Sequence, residues 1–487
     1  MTFSFVKNAR ILGLVFLFIL GLMLQAPAQK SSKVKASLKS SIDSDQQTYA
    51  NIAKQIWDWA EVGYQEEKSS QILRATLAKE DFKIESGIAG IPTAFVASYG
   101  TGQPVIGMLA EFDALPGISQ STSPEPEEIE NKTSAHACGH HLFGTGSVAA
   151  AIAIKKWLAS SGKKGTIKLF GTPAEEGGAG KVYMVRAGLF DNVDVVLHWH
   201  PSSQNTASAR SSLANKSAKF RFKGAASHAA SAPEKGRSAL DGVEAMNHMI
   251  NLMREHVPAE TRIHYVITEG GAAPNVVPAK AEVFYYVRHP EMNQVRTLFE
   301  RVVRAAEGAA LGTGTEMTYE VIHGIYNVLP NETLSQIMYK NLIQVGGVNY
   351  TAEERTFAEK IMSTYDHKLT PESAEKIESF KVIRRGTGGS TDVGDVSWAV
   401  PTAGLGAATW VPGTSAHSWQ AVAAGGTNIG VKGMMVAAKT LALTAFDIYN
   451  DPSVIAKAQA ELEKSRGDNF KYESLLGDRD PPLDYRK

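Results

Sequence analysis

Residues 166–200 read TIKLFGTPAEEGGAGKVYMVRAGLFDNVDVVLHWH. An apolar run, Thr166–Phe170, has the composition of a strand and leads into a loop with two adjacent glutamates. Gly180–Ala187 has helical spacing, and Val193–His198 is a second strand-like run. Strand, helix and strand in this order predict a sheet with substantial parallel content, covered by helices on both faces.

The same alternation extends upstream. Tyr49, Ile52, Ile56, Trp57 and Ala60 lie on one face of a helix starting at Gln46, and Ile72, Leu73 and Leu77 mark a second helix. Thr93–Tyr99 and Val105–Leu109 are strand-like, and Leu142–Ser160 is a helix rich in small residues. Residues 30–45 read as a Ser/Lys-rich lead-in without apolar periodicity. Between residues 215 and 327 the order becomes strand, helix, strand, strand, helix, strand, the split βαβ arrangement of a small four-stranded unit. Strand-like sequence resumes at Val400–Ala408, followed by a helix near Val431–Asp447. The expected fold is therefore α/β: a catalytic domain (46–214 and 328–450) with a mixed, largely parallel sheet, plus an inserted α+β, ferredoxin-like domain (215–327). Residues 451–487 read as a peripheral charged extension.

At 487 residues the chain is too long for one ordinary core. Lys+Arg and Asp+Glu total 50 each, which gives no electrostatic reason to expect a nucleic-acid partner. A hydrophobic share of 43% excludes wholesale disorder. With one cysteine, Cys138, no disulfide can form within the chain.

Met1–Gln29 has the layout of an export signal. Lys7 and Arg10 precede the apolar run Ile11–Leu24, and Ala26-Pro27-Ala28 supplies the small-x-small cleavage pattern. The run is shorter than the roughly 20 residues a spanning helix needs. Removal of 1–28 as a signal peptide would leave no stable membrane span, in a protein that works in a periplasm or outside the cell.

Four segments concentrate acid–base and metal-ligating residues at predicted strand ends or helix starts, where open α/β sheets place their sites. They are Ala110-Glu111-Phe112-Asp113-Ala114-Leu115-Pro116, His136-Ala137-Cys138-Gly139-His140-His141, Pro173-Ala174-Glu175-Glu176-Gly177-Gly178 and His198-Trp199-His200-Pro201. Ser415-Ala416-His417-Ser418 adds a further histidine. Taken singly, a buried cysteine is usually a small hydrophobe, and paired glutamates are usually a solvated charge run. Their concentration at strand ends favours a mixed thiolate, imidazole and carboxylate site suited to Zn²⁺ or Mn²⁺. Adjacent Glu175 and Glu176 point different ways, so one can bind metal while the other serves water as a general base. His248, His256, His264, His289, His323 and His367 are read as ordinary polar residues. Ser390 lacks the Gly-x-Ser-x-Gly elbow of a serine hydrolase.

With these motifs the sequence resembles the M20 metallopeptidase/amidohydrolase family, in its aminoacylase and hippurate hydrolase-like branch, from about Gln46 to Asp447. Gly389-Ser390-Thr391-Asp392-Val393-Gly394-Asp395-Val396-Ser397-Trp398 looks like the aminobenzoyl-glutamate hydrolase subgroup. The resemblance implies two divalent cations, Mn²⁺ or Zn²⁺, held by Cys138, His140, Glu176, His200 and His417. It implies Glu175 as general base, Asp113 as a supporting carboxylate, and His228 as a lid histidine facing the oxyanion, often across a dimer interface. Asn275 and Arg288 match substrate-binding positions; a turn cap and an internal salt bridge are their plain alternatives. Many relatives carry Asp where this chain has His141, a change expected to lower metal affinity or alter metal preference. The implied activity is hydrolysis of an N-acyl amino acid, by a homodimer or with a homologous second subunit. A dipeptidase using the same centre, and a secreted binding protein with a degenerate site, are the rival expectations.

Overall fold

The computed structural model describes residues 31–386 and 388–486. The segment read as an export signal lies outside them. The strands of four or more residues are β1 Lys83–Ser86, β2 Phe95–Thr101, β3 Val105–Ala110, β4 Gly165–Gly171, β5 Val195–Ser202, β6 Ala214–Lys223, β7 Arg262–Glu269, β8 Lys280–His289, β9 Glu316–Ile325 and β10 Thr402–Ala408.

Six of them form one sheet in the order β1-β2-β4-β3-β5-β10. β3 pairs in parallel with β4 and β5, and β5 in parallel with β10. β1 and β2 add an antiparallel edge. β3 is buried along its whole length, as expected of a strand with helices on both faces. Helices His140–Ser161 and Asn428–Asn450 pack against the sheet and are themselves largely buried. Gly144 lets the first of these approach the end of β3, since a Cβ there would meet the Glu111 carbonyl at 2.7 Å. The architecture is α/β with a mixed sheet, as the alternation of elements predicts.

The other four strands form an antiparallel sheet in the order β7-β8-β6-β9, which is the ferredoxin-like arrangement. Ala218, Phe220 and Phe222 of β6 alternate inward onto helices Ala239–Met253 and Met292–Thr313, joining Val283, Tyr285 and Phe299 in a separate core. Period-two spacing sends Lys219 and Arg221 to the opposite face. β6 and β9 are neighbours, so the chain enters and leaves this unit side by side, with Asn215 paired to Ile325.

Two segments differ from expectation. Residues 31–44 are helical rather than an unstructured lead-in. Leu38 and Ile42 sit one turn apart in the main core, and the Lys35 ammonium lies 2.7 Å from Asp447; the Ser and Lys residues occupy the outer face. The extension after residue 450 is not peripheral either. Helix Ser453–Arg466 buries Val454, Ile455, Ala458 and Leu462, spaced at three to four residues within a charged background. Beyond it, Leu475 and Leu476 are buried as well. Helices Glu332–Val345 and Ala352–Met362 were not anticipated from sequence.

Candidate metal centre

The carboxyl ends of β3, β4 and β5 meet the start of helix His140–Ser161. Gly139 caps that helix at φ 77°, and any Cβ there would lie 2.7 Å from Pro201. Only glycine lets the Cys138–His140 turn lie against the end of β5. The loop after β4 is held in an uncommon conformation, with Ala174 and Ala179 both at φ 58°. Left-handed non-glycine residues cost of order 1–3 kcal/mol each and persist only where surrounding contacts fix them. Here the Glu66 carboxylate accepts from the Ala174 N–H at 2.8 Å, and the Tyr64 hydroxyl donates to the Gly178 carbonyl at 2.7 Å.

Asp113 bridges two elements of the site. One oxygen lies 2.9 Å from His140 Nδ1, and the other accepts from the Glu176 N–H at 2.8 Å. The first contact puts the His140 proton on Nδ1 and leaves Nε2 to the site, the usual role of a carboxylate behind a ligating imidazole. His200 is oriented similarly. Its Nδ1 lies 2.7 Å from the Pro201 carbonyl, and its Nε2 is 3.4 Å from Cys138 Sγ. Burial pushes His200 down to about 4, so the ring is neutral and its lone pair is available. His417, at φ 61°, brings Nε2 to 3.1 Å from Glu176 Oε1, while its N–H donates to the Ala137 carbonyl at 2.9 Å.

Three groups of side chains place their ligand atoms within 4.8 Å of one another: Cys138–His140–His200, Cys138–Glu176–His417 and Glu111–His140–Glu175. The first two contain all five residues expected as ligands and share Cys138. The third has its cation already, because Lys181 Nζ lies 2.7 Å from Glu111 Oε1 and 2.6 Å from Asp392 Oδ1. Thiolate, neutral imidazole and carboxylate around a common sulfur fit a pair of divalent cations. Burial pushes the Cys138 thiol up, so a thiolate there requires positive charge beside it. Glu175 belongs to neither Cys138 group. Burial, then the Glu111 and Glu176 carboxylates, raise it well above the usual range.

The remaining motif histidines face elsewhere. His141 Nε2 lies 3.0 Å from the Gly425 carbonyl, and burial pushes the ring down to about 3. It belongs to none of the three groups, so the expected effect on metal binding has no contact to act through. His136 Nε2 lies 3.1 Å from the Ile56 carbonyl, and His198 is a buried neutral ring. In the small unit, His228 is exposed, and its Nδ1 accepts from the Ala230 and Ser231 N–H groups, both at 3.2 Å. Its proton therefore sits on Nε2. Asn275 lies beside it, its carbonyl accepting from Ala229. Neither residue has a hydrogen bond to the Cys138 groups among the described residues. Arg288 stacks over Tyr286 at 5.3 Å and, among the described residues, has no carboxylate within 4 Å. The salt bridge considered from sequence is absent there.

Sequence reasoning did not single out Glu111, Lys181, Asp392, Tyr485 or Arg486. Glu111 and Asp392 stood inside quoted motifs, whereas Lys181 reads as an ordinary helix lysine. Tyr485 and Arg486 both donate to the Glu176 carbonyl, at 3.0 and 2.9 Å.

The sequence profile of peptidase family M20/M25/M40 matches residues 107–422, a span that holds all of these ligands. The chain belongs to this family. As an M20 protein it is a metal-dependent amidohydrolase. It is 40% identical over 453 residues to one of the two named components of the p-aminobenzoyl-glutamate hydrolase of Escherichia coli, covering 88% of this chain and 94% of that protein. The Xaa-Arg dipeptidase of Mus musculus is 28% identical over 466 residues, covering 91% and 97%. Among solved structures, a dinuclear metal binding peptidase from the M20 family of Bacillus subtilis aligns with a TM-score of 0.58 at 18% identity, over 84% of this chain and 99% of that one. The aminobenzoyl-glutamate utilization protein of Klebsiella pneumoniae gives 0.59, also at 18% identity, over 84% and 98%. At that identity the structures show a shared M20 fold.

Proposed function

We propose that this M20 protein cleaves the amide bond of N-acyl or N-aroyl amino acids, of the aminobenzoyl-glutamate or hippurate kind. The observation that carries the reading is the pair of ligand groups sharing Cys138, with Glu175 next to them and outside both. Two divalent cations, Mn²⁺ or Zn²⁺, would be held by Cys138, His140 and His200 on one side and by Cys138, Glu176 and His417 on the other. When bound, they supply Lewis acidity and lower the pKa of water to roughly 7.

The chain's own groups do the rest. Glu175 takes a proton from the attacking water and returns it to the departing nitrogen. The Nε2–H of His228 donates to the oxyanion of the tetrahedral intermediate. Arg288 offers its unpaired guanidinium to the substrate carboxylate as two parallel hydrogen bonds, with Asn275 on the same lid.

His228 is exposed within one chain, and edge strand β7 exposes Tyr265 (39%), Val266 (54%) and Ile267 (40%). Uncovered apolar edge strands pair with another chain. Both features support a homodimer in which lids are exchanged. Similarity to both named components of the Escherichia coli hydrolase supports a homologous second subunit as the other assembly. The apolar run Ile11–Leu24 supports export to the periplasm or beyond, and cleavage after Ala28 leaves the helix at 31–44 whole.

The deciding experiment assays purified protein, loaded with manganese or zinc, on aminobenzoyl-glutamate, benzoyl-glycine and a set of free dipeptides including Xaa-Arg. Acyl-amino acids should be turned over at least tenfold more efficiently. A preference for dipeptides would move the protein to the exopeptidase reading, and absence of bound metal would leave a binding protein.

A further inference from the structure

The peptide unit after Glu176 is gripped from two directions. On one side Asp113 accepts from the Glu176 N–H at 2.8 Å. On the other, the Glu176 carbonyl accepts from the Tyr485 hydroxyl at 3.0 Å and from the Arg486 guanidinium at 2.9 Å. Residues 475–486 therefore return to the loop that supplies both Glu175 and Glu176, more than 300 positions away in sequence.

Their seat is built to receive them. The rings of Tyr485 and Tyr64 meet edge to face at 5.5 Å, and a Cβ on Gly63 would lie 2.2 Å from the Tyr485 oxygen. Gln65 donates to the Leu483 carbonyl at 2.8 Å, next to the Glu66 carboxylate that holds Ala174. Arg479 donates to the Val321 carbonyl of β9 and lies 3.5 Å from Glu320, so the same segment also grips the small sheet. Tyr485, Arg486 and Arg479 line a cavity of about 420 Å³ between that sheet and Gly177.

We propose that Tyr485 and Arg486 are positioning residues for the Glu175–Glu176 loop, acting through the Glu176 carbonyl. With the N–H and the carbonyl of Glu176 both fixed, its carboxylate is held toward His417 and Cys138. The flanking left-handed residues would otherwise let the loop relax. A ligand displaced by a fraction of an ångström binds its ion less well, and a misplaced base slows proton transfer. The inference rests on the two-cation reading above.

The test uses the full chain carrying Tyr485→Phe and Arg486→Met together. Zinc or manganese is titrated calorimetrically into metal-stripped protein, and His417→Ala identifies which binding step belongs to the Glu176–His417 position. That step should weaken by about fivefold or more, while the His140–His200 step stays within twofold. For any substrate turned over, kcat should fall with KM unchanged, and Arg486→Lys should recover most of both losses. Equal affinities in variant and parent would overturn the proposal, and so would parallel weakening of both steps, which marks general loosening. Should the double variant not fold, Tyr485→Phe alone, lacking one oxygen, is judged by the same two steps. If no acyl-amino acid is cleaved, the metal titration still decides, so failure of the substrate reading is separable.

Discussion

The ammonium of Lys181 lies 2.7 Å from Oε1 of Glu111 in a fully buried position. Asp392, equally buried, completes the set by accepting from both the Lys181 Nζ and its backbone N–H. One cation thus stands between two carboxylates, and Glu111 also lies 3.1 Å from His140 Nε2. Removing one partner of a buried ion pair strands the others, at a cost of about 3–5 kcal/mol. Lys181→Met should lower the unfolding free energy by that order in urea titrations. Adding Glu111→Gln and Asp392→Asn should restore much of it, because the stranded charges are then gone. A Lys181→Met protein as stable as the parent would remove the network from the account of the fold.

Glu175→Gln keeps the size of the side chain and removes its basicity. Since Glu175 lies outside both Cys138 groups, metal content should stay at two ions per chain while kcat falls by about 10³-fold or more. Elemental analysis and steady-state kinetics on one preparation check both halves. Turnover within a few-fold of the parent would exclude Glu175 as the base.

The shared sulfur makes the two ligand groups unequal to mutation. His200→Ala removes a ligand from one group only, so one ion should remain bound per chain. Cys138→Ser removes a ligand from both, and its hydroxyl is far harder to deprotonate than a thiol. Bound metal should then fall below one ion per chain after dialysis. Equal stoichiometry in the two variants would mean that Cys138 does not bridge.

Asp395 supplies a pH test remote from the ligands. Its carboxyl accepts from the Tyr472 hydroxyl at 2.7 Å and the Tyr326 N–H at 2.9 Å, and burial pushes it up to about 7. In the unfolded chain the group titrates near 3.8. Between these values the unfolded state has lost the proton and the folded state keeps it, so stability falls as pH rises from about 4 to 7. The slope approaches 1.4 kcal/mol per pH unit. Asp395→Asn should flatten this part of a urea-midpoint profile and gain on the parent above pH 7. Parallel profiles for the two proteins would show that Asp395 is ionised in the native state.

The strands, the small four-stranded unit and all five Cys138-group residues were legible because their signals are local: β-branched runs, period-two alternation, and ligand types at strand ends. The unread features depend on distant partners. Lys181 is charged by type and buried only because Glu111 and Asp392 converge on it. Leu38 and Ile42 are two apolar residues in a polar stretch, too few to outweigh Ser and Lys. The 475–486 segment, rich in Asp, Arg and Pro, carries no periodicity; Tyr485 acquires its role from Gly63 and Glu176, which lie far from it in sequence. His141 erred the other way. Its place in a dense motif suggested chemistry, whereas its ring bonds the Gly425 carbonyl.

The small sheet joins the rest of the protein through two adjoining strands whose roots pair at Asn215 and Ile325. Such a mount works as a lever with a short fulcrum. β6 runs for 10 residues, so its tip stands about 30 Å from the root, and a swivel of about 10° carries that tip through about 5 Å. Backbone changes at a few residues near 214 and 325 are therefore enough to swing the whole His228-bearing unit, without any rearrangement inside it.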